Sequence, residues 1–295
     1  MQSLSNAVAE LVDKVSPSVV RISAGRRSGT GVIWSGDGLV VTAFHVVGQS
    51  ESPLIALGDG RESEAKVVGI DEYSDVALLK VDALALSPLS LRSTDHVRVG
   101  EFVLALGSVL GKKASATSGI VVGTRRMRGY WGAMIEDAVV TDAKLNQGYS
   151  GGPLVDASGR LVGMNVAYFA GRGVAVPVEA LKETVERLSR DGRVKKGFLG
   201  VVVEPINLPG ELASSPDVGQ GTGLLVRAVD PGSPARAAGV AMGDIILKLG
   251  EAQATDEYEL HRALAADVVG KQVTLKVLRG ERATEFDVTP REFGG

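Results

Sequence analysis

Leu4, Val8, Leu11 and Val15 recur at the spacing of a single helical stripe, and the stretch closes before Pro17. This pattern predicts an amphipathic helix at the start of the chain. Beyond it the period shortens. Runs rich in valine and isoleucine alternate with glycine and polar turns at Ser18 to Ile22, Gly31 to Trp34, Leu39 to Thr42, Ala65 to Ile70, Val76 to Val81 and Phe102 to Leu106. Further runs follow at Gly119 to Val122, Val139 to Thr141, Leu161 to Val166 and Gly173 to Val176. Many short strands with frequent turn signals predict an all-β sandwich or barrel assembly. Pro177 then opens a predicted helix from Val178 to Ser189, with Glu179, Glu183 and Glu186 set among Leu181, Val185 and Leu188. Asp191-Gly192 is its stop signal.

The basic, apolar-poor segment Arg193 to Lys196 marks a predicted boundary between residues 1–192 and a second domain, 193–295. A chain of 295 residues has room for both. The second domain carries predicted strands at Phe198 to Val203, Gly223 to Val229, Asp244 to Leu249, Gln272 to Arg279 and Glu285 to Thr289. Its predicted helices are Pro234 to Ala238 and Asp256 to Ala265, the latter with Thr255 as N-cap.

Composition narrows the classes. Only 4% of residues are aromatic against 44% hydrophobic, so the core must be largely aliphatic. A net charge of −3 with no basic face argues against a nucleic-acid partner. No apolar run reaches the roughly 18 residues that span a bilayer as a helix. The absence of cysteine excludes a disulfide framework, a thiolate nucleophile and a thiolate metal site, and leaves the compartment open. The first residues lack the parts of a signal peptide. The expectation is therefore a cytoplasmic protein if Met1 is the native start, and a periplasmic or cell-envelope one if an export segment has been removed.

Candidate chemistry centres on Gly148-Tyr149-Ser150-Gly151-Gly152-Pro153-Leu154. Glycines around a serine allow a tight turn and bring backbone N–H groups close to a substrate carbonyl. A serine hydroxyl needs a base within reach, and the chain offers three histidines. His45 follows a valine-rich strand within Leu39 to Val47, at the strand end, where a barrel opens to solvent. His96 lies in a polar stretch and reads as a surface residue, and His261 falls on the second domain's helix. The third member must orient the imidazole and stabilise its cation. Asp75 directly precedes the apolar strand Val76 to Val81, while Asp71 and Asp82 lie nearby. One false lead, Gly107-Ser-Val-Leu-Gly-Lys-Lys113, is a residue short of a phosphate loop and lacks the Ser or Thr that follows its lysine.

These pieces, in the order His, Asp, Ser, resemble the HtrA/Deg family of trypsin-like serine proteases with C-terminal PDZ domains. The family-like stretches include Gly29-Thr-Gly-Val-Ile33, Thr42 to Val47, Gly58-Asp-Gly-Arg61, Ser74 to Lys80, Val99 to Gly107, Thr117 to Ile120, Thr141-Asp142 and Gly148 to Val155. The resemblance implies a mainly β chain: a chymotrypsin-like double β-barrel protease domain, then one PDZ domain of α+β type, a small open barrel. It implies catalysis by His45, Asp75 and Ser150, with the N–H groups of Gly148 and Ser150 as oxyanion hole. By the same resemblance Leu145, Asn165, Val166, Ala167 and Val174 build the specificity pocket, with Gly173 and Ala175. Small apolar walls there predict cleavage after Val, Ala or Leu. Lys144 and Tyr149 depart from the family, which usually has a small residue and an asparagine at these places. Lys144 is expected to point to solvent.

Arg125-Arg-Met-Arg-Gly-Tyr-Trp131 occupies the position of the family's sensor loop. It reads either as a solvated basic turn or as a relay in which Arg125 or Arg126 signals to the oxyanion loop. Gly197-Phe198-Leu199-Gly200-Val201 resembles the carboxylate-binding loop of a PDZ domain, and Val229 to Ala235 with Gly243 to Lys248 match that pattern. C-terminal peptides would add a strand beside Phe198, Leu199, Gly200 and Val201. The expected function is a serine endopeptidase acting on unfolded or damaged polypeptides, recruited or gated through the PDZ domain. The alternative is a chaperone or peptide-binding protein on a protease fold with little hydrolysis. No metal or organic cofactor is needed. A homo-oligomer is expected, commonly a trimer in the family, although the N-terminal helix lacks the aromatic residues that often build it.

Overall fold

The computed structural model describes residues 2–83, 86–94, 97–108, 114–128, 134–192, 197–264 and 268–292. Contacts divide the chain into two compact units, Met1–Val194 and Lys195–Gly295. His96, Lys112, Lys113, Gly129 to Trp131 and Arg193 to Lys196 lie outside the described residues.

The first unit opens with α1 (Gln2–Val15). It packs Leu11 and Val15 against Val19, Leu104, Leu106 and Val155. Six strands then close a barrel: β1 (Val19–Ala24), β2 (Arg27–Ile33), β3 (Leu39–Ala43), β4 (Leu54–Ala56), β5 (Glu62–Asp71) and β6 (Val76–Val81). The short helix α2 (Phe44–Val47) follows β3. Around the barrel the strands run β1-β2-β3-β6-β5-β4, with β4 returning to β1. A second barrel is built from β7 (Phe102–Gly107), β8 (Ser115–Arg128), β9 (Met134–Thr141), β10 (Pro153–Asp156), β11 (Leu161–Phe169) and β12 (Arg172–Pro177). Its order is β10-β11-β12-β9-β8-β7.

Full closure leaves neither barrel with an open edge. The interiors are aliphatic, as the scarcity of aromatic residues requires. Ile22, Val40, Ile55, Leu78 and Leu79 fill the first, and Val103, Ala105, Val139, Leu154 and Val162 the second. The helix α3 (Val178–Asp191) buries Val178, Leu181, Val185 and Leu188. Each such burial contributes about 1.5–3 kcal/mol. Gly192 ends it in the left-handed conformation at φ +70, its N–H returning to Leu188 O. Gly69 of β5 must be glycine because a Cβ there would stand 2.3 Å from Gly192 O.

The second unit contains β13 (Gly197–Phe198), β14 (Val201–Asn207), α4 (Gly210–Ala213), β15 (Thr222–Val229), α5 (Pro234–Ala238), β16 (Ile245–Leu249), β17 (Ala252–Gln253), α6 (Glu257–Ala263), β18 (Val273–Arg279), β19 (Arg282–Val288) and β20 (Arg291–Glu292). Its main sheet runs β14-β15-β16-β18-β19, so β14 is an edge strand. The predicted run Phe198 to Val203 is interrupted at Leu199-Gly200, because Gly200 takes φ +76. The N-cap of α6 is Asp256 rather than Thr255: its Oδ1 accepts the Glu259 N–H at 2.9 Å. Asp244 is buried. Burial opposes its ionisation, but a two-pronged bond from Arg279 and the Ala241 N–H outweigh this and hold its carboxyl below the usual range.

Candidate active site

Strand register brings two of the three candidate residues together. Ala43 at the end of β3 pairs with Val76 at the start of β6, so Phe44 and His45 face Asp75 across the barrel mouth. The Phe44 N–H donates to Asp75 O at 3.0 Å. The His45 backbone N–H donates to Asp75 Oδ1 at 2.9 Å, and His45 Nδ1 lies 2.7 Å from Oδ2. One carboxylate thus caps the first turn of α2 and orients the imidazole. A carboxylate only accepts, so Nδ1 carries the hydrogen and Nε2 presents its lone pair. The Asp75 side chain is 1% exposed and that of His45 16%, which places a buried carboxyl group behind a reachable imidazole.

Asp75 holds φ +56, a left-handed conformation that costs a residue with a Cβ about 1–3 kcal/mol. The bonds to Phe44 and His45 offset that strain. Asp71 has another task. Its carboxylate accepts the Tyr73 N–H at 3.0 Å and the Ser74 hydroxyl at 2.6 Å, closing the β5–β6 turn. Asp82 is exposed.

Ser150 sits in a loop wedged between the barrels. Gly151 takes φ +82, and a Cβ there would stand 2.0 Å from Thr30 O and 2.3 Å from Thr42 Oγ1. A Cβ on Gly152 would stand 2.1 Å from Leu106 O. Both glycines are therefore required by close approach of backbone to backbone. Thr30 grips the loop from β2. Its N–H donates to Ser150 O at 2.9 Å, and its hydroxyl donates to Gly148 O at 2.6 Å while accepting the Ser108 N–H at 2.8 Å. Nothing in the sequence singles out Thr30 beyond its place in Gly29-Thr-Gly, because its partners lie in the other barrel.

Tyr149 grips the same loop from below. It is 4% exposed and packs into the second core with Val103, Ala105, Val121, Leu154 and Val162. Its ring lies on Gly107, where a Cβ would stand 3.0 Å from Tyr149 Cγ. Burial raises the pKa of its phenol. The residue after Gly148 is thus an anchor as well as a piece of backbone.

Ser150, His45, Gly148, Leu145 and Ala167 line one cleft of about 520 Å³. A hollow of about 530 Å³ beside α1, β1 and β4 contains neither Ser150 nor any histidine. The pocket residues divide. Leu145 and Ala167 face the cleft, with Gly173 packed on Leu145. Asn165, Val166 and Val174 are wholly buried and do not line it. The register of β11 slips between Asn165 and Ala167, so Val166 is the extra residue of a bulge and turns into the core with Met164 and Val176. Asn165 fastens β11 to the glycine-rich loop of Ser150, its backbone O accepting the Gly151 N–H at 2.7 Å and its N–H donating to Gly152 O at 2.8 Å. Lys144 is exposed and outside the cleft lining.

Arg125 and Arg126 belong to strand β8, not to a turn. Arg126 Nε bonds Glu136 of β9 at 2.6 Å, and neither arginine lines the cleft.

In the second unit Leu199 O accepts the Ala235 N–H at 3.0 Å and Gly200 O accepts the Asp230 N–H at 2.8 Å. Trans peptide geometry then turns the N–H groups of Gly200 and Val201 the other way, away from Ala235 and Asp230. Gly200 cannot carry a side chain, since a Cβ would stand 2.2 Å from Ser233 Cβ. The Phe198 ring lies under Arg291, 4.8 Å from its guanidinium carbon.

Comparison with known proteins follows this anatomy. A family model described as a trypsin-like peptidase domain matches residues 29–164, and a PDZ domain model matches 197–289. The HhoB protein of Synechocystis sp. is 31% identical over 98% of this chain and 80% of its own length. The chain belongs to the HtrA/Deg family of serine endoproteases. A DegP-like periplasmic serine endoprotease of Halomonas elongata is 36% identical over 90% of this chain. The alignment covers 56% of that relative, so this HtrA/Deg chain spans little more than half its length. Two solved structures are similar over the whole chain. The HtrA-type protease AlgW with a tripeptide has a TM-score of 0.81 at 31% identity, covering 97% of each chain. The serine endoprotease of Yersinia pestis has a TM-score of 0.78 at 32% identity, again covering 97% of each.

Proposed function

We propose that this chain is an endopeptidase that cleaves unfolded or damaged polypeptides through an acyl-enzyme, and that C-terminal peptides bound by its PDZ domain recruit substrate or gate the site. Ser150 Oγ attacks the scissile carbonyl as His45 Nε2 takes its proton, and the Asp75 carboxylate balances the imidazolium. The N–H groups of Gly148 and Ser150 receive the developing oxyanion. His45 then returns the proton to the leaving amine, and water repeats the sequence on the acyl ester. The observation that carries the reading is the buried Asp75 carboxylate 2.7 Å from Nδ1 of a histidine that shares a cleft with Ser150. The apolar wall of Leu145 and Ala167 favours small or medium aliphatic residues before the scissile bond.

A fluorophosphonate probe tests this directly. In the presence of a C-terminal peptide it should label the protein at one site, mapped to Ser150 by peptide mass spectrometry, as unfolded casein is degraded. A folded protein that takes no label and leaves casein intact would favour the chaperone reading.

The PDZ reading makes a separate prediction. A labelled peptide ending in an apolar residue should bind in fluorescence anisotropy, and Gly200→Ala should weaken it by roughly tenfold or more. The substitution strains φ +76 and drives a methyl group into Ser233, displacing the two N–H groups that would hold the carboxylate. Equal affinity in both proteins would place peptide binding elsewhere.

A further inference from the structure

The charged lining of the cleft has one sign. Among the described residues its ionisable side chains are Arg26, Arg27, His45 and the Tyr168 phenol, and no carboxylate lines it. Neither arginine has an ion-pair partner among the described residues, although the chain as a whole carries −3.

Their placement is set by the backbone. Ala24 of β1 pairs with Arg27 of β2, so Gly25 and Arg26 alone form the bend, with Gly25 at φ +61. Arg27 lies on Gly48 at the end of α2, where a Cβ would stand 1.5 Å from Nη1. The strand then passes the nucleophile: a Cβ on Gly29 would stand 2.5 Å from Val46 and 3.0 Å from Ser150 O. Both arginines therefore stand on the wall that carries His45, facing the apolar wall of Leu145, Ala167 and Tyr168.

Chemistry orients a substrate between these walls. On the endopeptidase reading, the segment that ends in the attacked carbonyl would lie along the wall of Leu145 and Ala167. On the same reading the leaving amine would take its proton from His45, so the segment that follows it would run past α2 toward Arg27 and Arg26. Resting on the endopeptidase reading above, we propose that Arg26 and Arg27 select acidic residues in the first positions after the scissile bond. Both guanidiniums are solvent-exposed, so each pair is modest and salt-sensitive.

The test uses three internally quenched peptides that share an apolar sequence up to the scissile bond and continue with Asp-Glu, Gln-Asn or Lys-Lys, assayed with a C-terminal activating peptide. The expected order of kcat/KM is acidic, neutral, basic, with about tenfold between the extremes at low ionic strength and a narrower spread as salt rises. Arg26→Gln with Arg27→Gln should bring the three rates, each normalised to that variant's rate on the neutral peptide, close to one. Arg26→Gln alone, at the solvent-facing bend, should narrow the spread part-way. Equal rates in the wild type, a preference for Lys-Lys, or an acidic preference that survives in the double variant would overturn the proposal. Hydrolysis of none of the three peptides by folded wild type would instead overturn the endopeptidase reading.

Discussion

Ser150→Ala should lower kcat on an unfolded polypeptide about a millionfold while leaving the fold intact. In the proposed mechanism the Ser150 hydroxyl oxygen forms the acyl bond, and the substitution removes it. Its conformation rests on groups that the substitution leaves in place: the glycines at 151 and 152, the Thr30 bonds to Gly148 O and Ser150 O, and the buried Tyr149 ring. The variant should therefore keep the wild-type melting temperature to within a few degrees and still bind peptide. Casein degradation by gel, with circular dichroism as the control for folding, measures both. Equal loss of casein in wild type and variant would end the claim that Ser150 is the nucleophile.

Asp75→Asn should cost about 10⁴ in kcat with little loss of stability. His45 presents two donors to this side chain, its backbone N–H at 2.9 Å and Nδ1 at 2.7 Å. A carboxylate accepts both. An asparagine accepts one, and its amide then donates to Nδ1, which forces the hydrogen onto Nε2 and removes the lone pair that must take the serine proton. The negative charge that balances the imidazolium disappears as well. Asparagine tolerates a left-handed backbone better than most residues, so φ +56 is retained. Stopped-flow acylation with a chromogenic ester separates this loss from substrate binding. A fall in acylation rate of less than tenfold would remove Asp75 from the catalytic group.

Much of this site was legible in the chain. Tight-turn glycines around a serine, a histidine at a strand end and an aspartate before an apolar strand are local signals, because each arises from what one short segment must do. The longer helices were legible for the same reason: α1 and α3 show an apolar stripe, and Gly192 marks a stop, whereas the four-residue α2 and α4 carry no such stripe. Strand ends were less so. β4 has only three residues, and β10 begins at Pro153 inside what reads as the nucleophile loop. Each is a strand because a partner far along the chain supplies its hydrogen bonds, β1 and β5 for one, β7 and β11 for the other.

The sequence alone therefore singled out His45, Asp75 and Ser150 as candidates and suggested the kind of chemistry proposed for them. Tertiary structure alone decided which neighbours make them a site. The Ala43–Val76 register turned Asp75, and not Asp71, toward the imidazole. The bulge in β11 moved Val166 from the pocket wall to the core, and Val174 joined it there. Thr30 reached across from one barrel to hold the loop of the other, and Tyr149 proved to be its buried anchor. The two-residue bend at Gly25 and Arg26 brought both arginines to the cleft. Each depends on contacts between segments many residues apart, set when the barrels close, and no local pattern encodes them.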